Sequence, residues 1–325
     1  ERTTAERTAL ILGATGGIGG AMLRRLRAGG WRVRALTRRP ASLAPTCEAI
    51  EGDAMDAGAV RAAARGATLI VHAVNPPGYR DWDRLVLPML DNRLAAARDT
   101  GARILLPGTV YNYAPDMAGP IGEAAPQQPA TRKGAIRVML ERRLEDAAAA
   151  GHARVLIVRA GDYFGPGAAN NWFAQALIAP GARPRAIRNP GRPGIGHQWA
   201  YLPDVAETMV RLIEGPPLPD FARFHMDGHW DADGTQMVSA IASALGATAV
   251  PIRRLPWWQL RLASLFATTP RELMEMRYLW QRPLRLDNAR LAAWLCAEPH
   301  TPLAAAVQAT LTSLGAARGC PGATT

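Results

Sequence analysis

The first half of the chain alternates short, largely apolar runs with amphipathic stretches. The apolar runs predict strands at residues 8–12, 32–37, 68–74, 103–106 and 154–159. The amphipathic stretches predict helices at residues 21–28, 59–65, 85–100 and 136–150. Strands and helices that alternate in this way form βαβ units. We therefore predict an α/β protein with a doubly wound, mostly parallel sheet.

The second half of the chain has a different residue composition. Proline, glycine and tryptophan become frequent beyond Gly165, with irregular stretches at residues 179–196 and 215–234. Helices are predicted at residues 205–214, 236–245, 257–266 and 302–314. These features predict a smaller carboxy-terminal lobe that binds the substrate. The sheet domain then comprises residues 8–165 plus about 197–228, the lobe comprises residues 166–196 plus 229–318, and residues 1–7 and 319–325 are flexible tails.

A glycine-rich turn follows the first strand and opens the first helix. It reads Gly13-Ala-Thr-Gly-Gly-Ile-Gly19, which has the position and glycine spacing of the dinucleotide-binding turn of a Rossmann fold. Gly13 permits the tight turn, Gly16 lets the backbone approach the pyrophosphate, and Gly19 allows the helix to pack closely on the strand. The amino terminus of the helix favours the negative phosphates. We therefore predict that a dinucleotide cofactor binds here.

The end of the second strand indicates which dinucleotide binds. An acidic residue there binds the ribose hydroxyls of NAD, whereas an arginine accommodates the 2′-phosphate of NADP. This strand ends Leu36-Thr37-Arg38-Arg39, without an acid. We expect a preference for NADP(H), with NAD(H) as the alternative. Asp53 lies where we expect a further strand to end, between the strands at residues 32–37 and 68–74. Its carboxylate is expected to accept a hydrogen bond from the adenine amino group, and an ordinary turn aspartate is the alternative.

Composition narrows the class of protein and its partners. The chain is 48% hydrophobic and 20% charged, which is typical of a globular protein with a sizeable core. Its 38 basic residues against 27 acidic ones give a net charge of +11. Only Lys133 is a lysine, and the arginines are scattered along the chain rather than clustered among aromatic residues. We therefore expect no nucleic-acid partner and a cofactor with phosphates as the bound anion.

Cysteine usage and hydropathy suggest a cytoplasmic protein. The three cysteines lie far apart, without the spacing of a zinc site or a disulfide framework, so we expect no metal and a reducing compartment. No run approaches the roughly 18 consecutive apolar residues of a membrane span, and no secretory signal opens the chain. We expect no membrane span and a small-molecule substrate.

Several separated stretches resemble the short-chain dehydrogenase/reductase superfamily, in its extended and atypical branches. Besides the glycine turn, they are Val71-His-Ala-Val-Asn75, Val110-Tyr111, Arg159-Ala-Gly-Asp-Tyr-Phe-Gly-Pro166, Trp199-Ala-Tyr-Leu-Pro-Asp204 and Thr301-Pro-Leu303. The resemblance covers most of residues 8–315. It implies further cofactor-binding residues: Thr15, Gly17, Ile18, Ala54, Ala73, Val74, Asn75, Pro107, Lys133, Ala160, Asp162 and Tyr163.

The catalytic residues typical of this superfamily are missing. Typical members carry a serine after the fifth strand and a YxxxK pair on the next helix. Here Pro107 or Gly108 stands at the serine position, Lys133 at the tyrosine and Arg137 at the lysine. The run Lys133-Gly-Ala-Ile-Arg-Val-Met-Leu-Glu141 is instead similar to the isoflavone and phenylcoumaran ether reductases and to NmrA-like regulators. That resemblance implies that Lys133 is the general acid or base beside the nicotinamide.

Physical chemistry supports a role for Lys133. A lysine that is desolvated near a cation such as Arg137 can have its pKa lowered toward neutrality, whereas an arginine cannot titrate. The chain retains this single lysine among 38 basic residues, which fits a need for a titratable amine. The alternative is a solvated lysine before a helix. Arg137 is expected on the same helix face as Lys133, where it reaches the cofactor ribose or a substrate anion. The alternative is an arginine on the protein surface.

The remaining candidates follow the strand at residues 103–106 or belong to the second lobe. Thr109 and Tyr111 are further catalytic candidates, because ligands bind at the carboxyl edge of such sheets, with loop packing as the alternative. The candidate substrate-binding residues are Tyr113, Arg137, Phe164, Asn170, Trp172, His197 and Trp199. A structural role is the alternative for His197. The amphipathic helix at residues 257–266 is expected to pack the lobe, with a membrane or dimer contact as the alternative.

These observations favour an NADP(H)-dependent oxidoreductase of the atypical short-chain type. The tryptophans of the second lobe favour a small apolar or aromatic carbonyl, alkene or ether substrate. One alternative is a non-catalytic NADP(H)-sensing regulator, which the missing serine and tyrosine favour. Another is a nucleotide-sugar epimerase or dehydratase, which the chain length favours and the absence of the YxxxK pair opposes. By resemblance, we expect a homodimer formed through the helices at residues 85–100 and 136–150.

Overall fold

The computed structural model describes residues 7–43, 45–74, 82–117, 119–168, 171–178, 184–246 and 250–316. Its strands are β1 Thr8–Leu12, β2 Arg32–Thr37, β3 Glu48–Glu51, β4 Leu69–His72, β5 Arg103–Gly108, β6 Pro120–Ile121, β7 Arg154–Arg159, β8 Asp162–Phe164, β9 Ile187–Asn189, β10 His197–Tyr201, β11 Phe221–His225, β12 His229–Asp231, β13 Ile252–Arg254 and β14 Arg285–Leu286. Its α-helices are α1 Gly17–Ala28, α2 Ala57–Ala64, α3 Trp82–Thr100, α4 Arg132–Ala149, α5 Leu202–Glu214, α6 Gln236–Ala244, α7 Trp257–Ala263, α8 Thr268–Glu275, α9 Ala289–Leu295 and α10 Leu303–Ser313. Short 3-10 turns lie at Pro40–Ser42, Val110–Asn112 and Met276–Trp280, and a π-helical turn lies at Phe173–Leu177.

Seven of the described strands form one parallel sheet. Their order is β11-β7-β5-β4-β1-β2-β3, with β1 hydrogen-bonded to β2 on one side and to β4 on the other. The chain winds outward from β1 to β3, returns to β4 and then winds the other way. Ligands of open α/β sheets bind at such a switch point, outside the carboxyl ends of the strands. The predicted doubly wound α/β fold is confirmed.

Helices cover both faces of the sheet. Ala9 and Ile11 of β1 point to the face covered by α1 and α5, and Leu10 and Leu12 point to the face covered by α2, α3 and α4. All four side chains are buried. A strand that is buried on both faces has no polar side, which explains the continuous apolar run in the sequence.

A separate hydrophobic core lies in the second half of the chain. It contains side chains of α6 and α10 and the indoles of Trp172, Trp199 and Trp280. Three small sheets accompany it, with the strand orders β12-β10-β8, β13-β9 and β14-β6. Because β8 begins only three residues after the end of β7, this part of the structure starts at the carboxyl edge of the large sheet.

Some predicted element bounds differ from the observed ones. Helix α1 begins at Gly17, four residues before the predicted start, because the last glycines of the turn form its first turn. Strand β5 continues to Gly108, since Pro107 and Gly108 pair with Val158 and Arg159 of β7. The predicted irregularity of residues 215–234 was wrong, because β11 and β12 pair with strands that are distant in the chain. Strand β9 likewise interrupts residues 179–196, and α8 and α9 were not predicted.

Gly19 brings α1 so close to the glycine turn that no side chain fits there. A Cβ at Gly19 would lie 2.0 Å from the carbonyl oxygen of Gly13, whereas a Cβ at the neighbouring Gly20 meets nothing nearer than 3.4 Å. We expect Gly19→Ala to lower the free energy of unfolding by about 2 kcal/mol or more, because the turn must move. Gly20→Ala is expected to raise it by about 0.5–1 kcal/mol, because alanine favours helix. Urea unfolding measures both values, and equal stabilities would contradict the packing.

Candidate functional site

A cleft of about 860 Å³ opens at the carboxyl ends of β1, β2 and β3. Its size is in the range of cofactor and small-molecule sites. Eight residues predicted to bind the cofactor line it: Gly13, Thr15, Thr37, Arg38, Arg39, Asp53, Ala54 and Val74. The other lining residues, which the sequence pattern did not indicate, are Leu12, Ala14, Leu36, Ser42, Gly52, Met55, Leu85 and Met89. Leu85 and Met89 come from α3, whose position over the sheet edge only the fold reveals.

The glycine turn leaves backbone groups available at the cleft. Gly13 has φ of +93°, and a Cβ there would lie 2.6 Å from the carbonyl carbon of Ala73 after β4, so only glycine fits. Gly16 is the N-cap residue of α1, and within the described residues no side chain caps the helix and no acid lies in its first turn. Gly17 packs against Ala168. The unsatisfied N–H groups and the helix dipole favour an anion at this end of α1.

The residues after β2 and β3 form the opposite wall of the cleft. Arg38 and Arg39 are exposed there. The hydroxyl of Thr37 accepts a hydrogen bond from the backbone N–H of Arg39 at 3.2 Å and shapes the turn. Asp53 Oδ1 accepts from the backbone N–H of Met55 at 2.9 Å, which is the turn role considered as its alternative. Two guanidinium groups and one carboxylate thus line the wall.

Three predicted site residues form one hydrogen-bonded group at the carboxyl ends of β5 and β7. Tyr111 Oη donates to Oδ1 of Asp162 at 3.2 Å. Oδ2 of Asp162 lies 2.9 Å from Nε2 of His197, and Nδ1 of His197 lies 3.3 Å from the carbonyl oxygen of Leu279. Both ring nitrogens of His197 therefore lie within hydrogen-bonding distance of an oxygen atom. We call these three side chains the Tyr–Asp–His set.

Neighbouring contacts hold this set in place. The hydroxyl of Thr109 accepts from the backbone N–H of Tyr111 at 3.3 Å and caps the 3-10 turn that follows. Tyr163 Oη donates to the carbonyl oxygen of Gly108 at 2.7 Å, and burial raises the pKa of this phenol. The indole of Trp280 stacks on His197, with ring centroids 3.7 Å apart. Asp162 and His197 are buried while Tyr111 is half-buried, so Tyr111 is the accessible member.

Lys133 is enclosed by carboxylates. Its side chain is 2% exposed, and its ammonium forms an ion pair with Glu272 and lies 3.4 Å from Oε2 of Glu275. The backbone N–H of Lys133 also donates to Glu275 at 3.0 Å. Both glutamates belong to α8, which the sequence did not predict. The sequence therefore did not reveal that two carboxylates surround the ammonium of Lys133.

Arg137 contacts a different element, although it lies one helical turn after Lys133. Its guanidinium stacks on Trp82 of α3, 5.1 Å from the ring centroid. Close by, Arg93 Nη1 donates to Nδ1 of His72 at 3.1 Å, and both side chains are buried. Burial, followed by the charges of Arg93 and Arg137, holds the pKa of His72 well below its usual range. A buried, positively charged cluster therefore lies at the end of β4.

Tyr113 belongs to a buried polar network. It is fully buried, its hydroxyl accepts a hydrogen bond from Arg159, and it lies 3.1 Å from Nε2 of His225. Arg159 forms a two-pronged ion pair with Glu141, at 2.5 and 3.0 Å. Burial, followed by Arg159, lowers the pKa of His225 to about 3, and burial raises the pKa of Tyr113 to about 12. The prediction that Tyr113 binds substrate was wrong, since a substrate does not reach this phenol.

The predicted aromatic substrate contacts pack against each other. Phe164 is fully buried and stacks on Phe173 with centroids 5.7 Å apart, so the prediction that it contacts substrate was wrong. Trp172 meets Trp280 edge-on at 5.2 Å, and Trp199 is almost completely buried. These indoles build the core of the second half of the chain. They therefore no longer favour an apolar substrate.

Trp280 also lines a cavity of about 200 Å³ that contains three arginines. Arg192, Arg254 and Arg277 come from separate segments, and none of the described residues that line the cavity is acidic. The remaining lining residues are Asn189, Pro190, Gly191, Leu255, Trp257 and Gln281. Guanidinium groups recognise phosphate by paired hydrogen bonds. We call this the arginine cavity. Because arginine is so abundant in the chain, the sequence did not single out these three.

Other predictions concern residues outside this arrangement. Asn75 and Asn170 lie outside the described residues. Ile18 packs partly against the core, Pro107 lies in β5, and Ala160 is buried between β7 and β8. In the described ranges, no three His, Cys, Asp or Glu side chains are grouped to hold a metal ion. None of the helices described here is long and apolar enough to span a membrane.

Solved epimerase structures share this fold. A Burkholderia cenocepacia protein provisionally assigned as an epimerase is 21% identical over 96% of this chain and 99% of that chain, with a TM-score of 0.71. UDP-glucuronic acid 4-epimerase from Bacillus cereus, in complex with UDP-glucuronic acid and NAD, is 14% identical over 94% and 98% of the two chains, with a TM-score of 0.71. The Bordetella bronchiseptica enzyme WbmH, in complex with NAD+, is 16% identical over 94% and 97%, with a TM-score of 0.70. No curated protein sequence matches the chain.

The fold and the glycine turn define a Rossmann-type protein of the short-chain dehydrogenase/reductase kind. The model of the NAD-dependent epimerase/dehydratase family matches residues 9–219, and the chain belongs to this family. The resemblance inferred from the sequence is thereby confirmed. Family membership favours the epimerase or dehydratase alternative over the oxidoreductase that the sequence analysis preferred.

The buried ion pair between Lys133 of α4 and Glu272 of α8 joins the two helices. In Glu272→Gln the buried ammonium loses its closest partner, and we expect the free energy of unfolding to fall by about 2 kcal/mol or more. The control is Asp91→Asn, which breaks the exposed Arg143–Asp91 pair at 2.6 Å and is expected to change stability by less than about 0.5 kcal/mol. Urea unfolding compares the variants. Similar losses in both would show that burial adds nothing to the Lys133 pair.

Proposed function

We propose that the protein is a nicotinamide-dependent enzyme that moves hydride to or from a carbinol carbon of its substrate, with Tyr111 transferring the proton. The observation that carries this proposal is the Tyr–Asp–His set. It lies at the carboxyl ends of β5 and β7, on one side of the glycine turn, whereas Arg38 and Arg39 follow β2 on the other side. A dinucleotide that spans the switch point has its adenosine end toward β2 and its nicotinamide end toward β5.

The cleft residues support a dinucleotide with an additional phosphate. The glycine turn offers backbone N–H groups and the positive end of α1 to a pyrophosphate. Arg38 and Arg39 offer two guanidinium groups at the ribose end, where no acid follows β2. NADP(H) is therefore the preferred cofactor in this proposal. When bound, its nicotinamide supplies or accepts the hydride.

A cofactor titration tests this part of the proposal. We expect NADPH to bind at least about tenfold more tightly than NADH, equivalent to about 1.4 kcal/mol. In Arg38→Ser/Arg39→Ser this preference disappears, because NADPH loses its phosphate contacts while NADH loses none. Nicotinamide fluorescence measures both affinities, and Arg98→Ser, an exposed change on α3 outside the cleft, is the control. Tighter NADH binding in the unmodified protein would overturn the NADP preference and leave NAD as the cofactor.

The Tyr–Asp–His set offers a complete path for the proton. In oxidation, the substrate hydroxyl gives its proton to Tyr111 Oη while the phenol gives its own proton to Asp162, along the observed hydrogen bond. The buried pair of Asp162 and His197 then holds that proton. Reduction follows the same path in reverse, and Tyr111 protonates the carbonyl oxygen. In this scheme Tyr111 is the catalytic residue. Asp162 and His197 position it, and Asp162 accepts its proton.

The arginine cavity favours a substrate with a phosphate group. Arg192, Arg254 and Arg277 provide three positive charges without an acid, and Trp280 connects the cavity to His197. A nucleotide sugar combines such a phosphate with a carbinol carbon, so epimerisation or dehydration of a nucleotide sugar is the reaction that we place first. A non-catalytic NADP(H)-sensing regulator is the second candidate, supported by the missing serine and tyrosine of the usual catalytic pattern.

Reaction with a nucleotide sugar separates these candidates. We expect UDP-glucose, added to protein loaded with oxidised cofactor, to reduce the nicotinamide. Tyr111→Phe should slow this reduction by about 100-fold or more while the sugar still binds, because only the proton path is lost. Arg277→Ser should instead weaken sugar binding by about tenfold, because one phosphate contact is lost, and the exposed Arg282→Ser is its control.

Nicotinamide absorbance follows the reduction, and calorimetry follows the binding. An unchanged rate in Tyr111→Phe would remove Tyr111 from the mechanism. Failure of UDP-glucose to bind would remove this nucleotide sugar from the proposal, and binding without reduction would favour the sensing regulator.

A further inference from the structure

Four large apolar side chains are exposed on and just after α7. Trp258 is 64% exposed, Leu262 57%, Leu265 68% and Phe266 90%. Trp258 and Leu262 lie one helical turn apart on α7. Leu265 and Phe266 follow just after the end of this helix at Ala263. We call these four residues the α7 surface. Such a group is unusual on a monomer, where large exposed apolar side chains are normally scattered singly.

The opposite side of α7 is already packed against the protein. Trp257 Nε1 donates to the carbonyl oxygen of Pro190 at 2.9 Å, and the guanidinium of Arg277 lies over the Trp257 ring at 5.2 Å. Trp257 and Leu260 also contact the hydrophobic core of the second half of the chain. The helix therefore has two apolar sides, of which the core uses only one.

The surroundings of the α7 surface are positively charged. The sequence from residue 250 to residue 271 contains Arg253, Arg254, Arg261 and Arg271 and no acidic residue. All four arginines belong to exposed positions. Contact between two copies through this surface would bring arginines against arginines, whereas an anionic surface complements them. The charge pattern thus favours an anionic occupant over a second copy of the chain.

We propose that the α7 surface inserts into the interfacial region of an anionic lipid bilayer. An amphipathic helix with tryptophan, leucine and phenylalanine on one side and arginines beside them lies in the plane of the membrane interface. Trp258 then lies at the level of the lipid headgroups, Leu265 and Phe266 reach the acyl boundary, and Arg253 and Arg261 contact lipid phosphates. This peripheral attachment requires no membrane-spanning helix. It is independent of the reaction proposed above.

Vesicle flotation tests the proposal with the whole 325-residue chain. We expect the protein to float with vesicles of phosphatidylcholine and phosphatidylglycerol at least about tenfold more strongly than with vesicles of phosphatidylcholine alone, and less strongly as salt is added. Leu265→Ser/Phe266→Ser should lower the bound fraction by about tenfold, because the acyl contacts are lost. Met139→Ser removes another exposed apolar side chain, on α4, and should change nothing.

A second measurement keeps the test independent of folding defects. Brominated lipids should quench part of the tryptophan fluorescence of the unmodified protein, and Trp258→Phe should remove that part. Circular dichroism verifies that each variant is folded. Absence of flotation, or flotation that is equal for both vesicle types or unchanged in Leu265→Ser/Phe266→Ser, would overturn the proposal. So would concentration-dependent self-association, measured by light scattering, that Leu265→Ser/Phe266→Ser abolishes without any vesicle binding.

Discussion

A fully buried ion pair between Arg159 and Glu141 joins the elements from which the candidate site is built. Arg159 ends β7 and Glu141 lies in the middle of α4. Tyr113 and Asn112, from the turn after β5, and His225, from the end of β11, form hydrogen bonds with the same pair. A buried charge pair is stable only when its remaining hydrogen-bonding groups are also satisfied. The network therefore holds β7, β11, α4 and the turn after β5 together.

This constraint determines where the reactive groups lie. Tyr111 directly precedes Asn112, and Asp162 follows Arg159 by three residues. With both neighbours held in the buried network, the phenol of Tyr111 and the carboxylate of Asp162 face each other across the carboxyl edge of the sheet. His225 stays neutral in this network, because burial and Arg159 lower its pKa to about 3. The network thus supports the turn that carries Tyr111, which is the more exposed member of the Tyr–Asp–His set.

The unusual residues at the superfamily's catalytic positions have a structural role in this chain. Lys133 pairs with Glu272 and Glu275, and Arg137 stacks on Trp82, so both side chains tie α4 to its neighbours. The ammonium of Lys133 lies between these two carboxylates inside the protein. This arrangement explains why α8, which carries both glutamates, packs against α4.

The sequence by itself determined the parallel sheet, the glycine turn and the family, because these depend on local patterns. A strand buried on both faces must be apolar throughout. Gly13 must be glycine, because a Cβ there would lie 2.6 Å from the carbonyl carbon of Ala73. The sequence also pointed to Tyr111, Asp162 and His197, but as separate candidates. Only the tertiary structure decided that they form one hydrogen-bonded set, that Tyr113 is buried, and that glutamates from α8 surround Lys133. These contacts join residues that are far apart in the chain. A local sequence pattern does not indicate which distant residue pairs with a buried charged group.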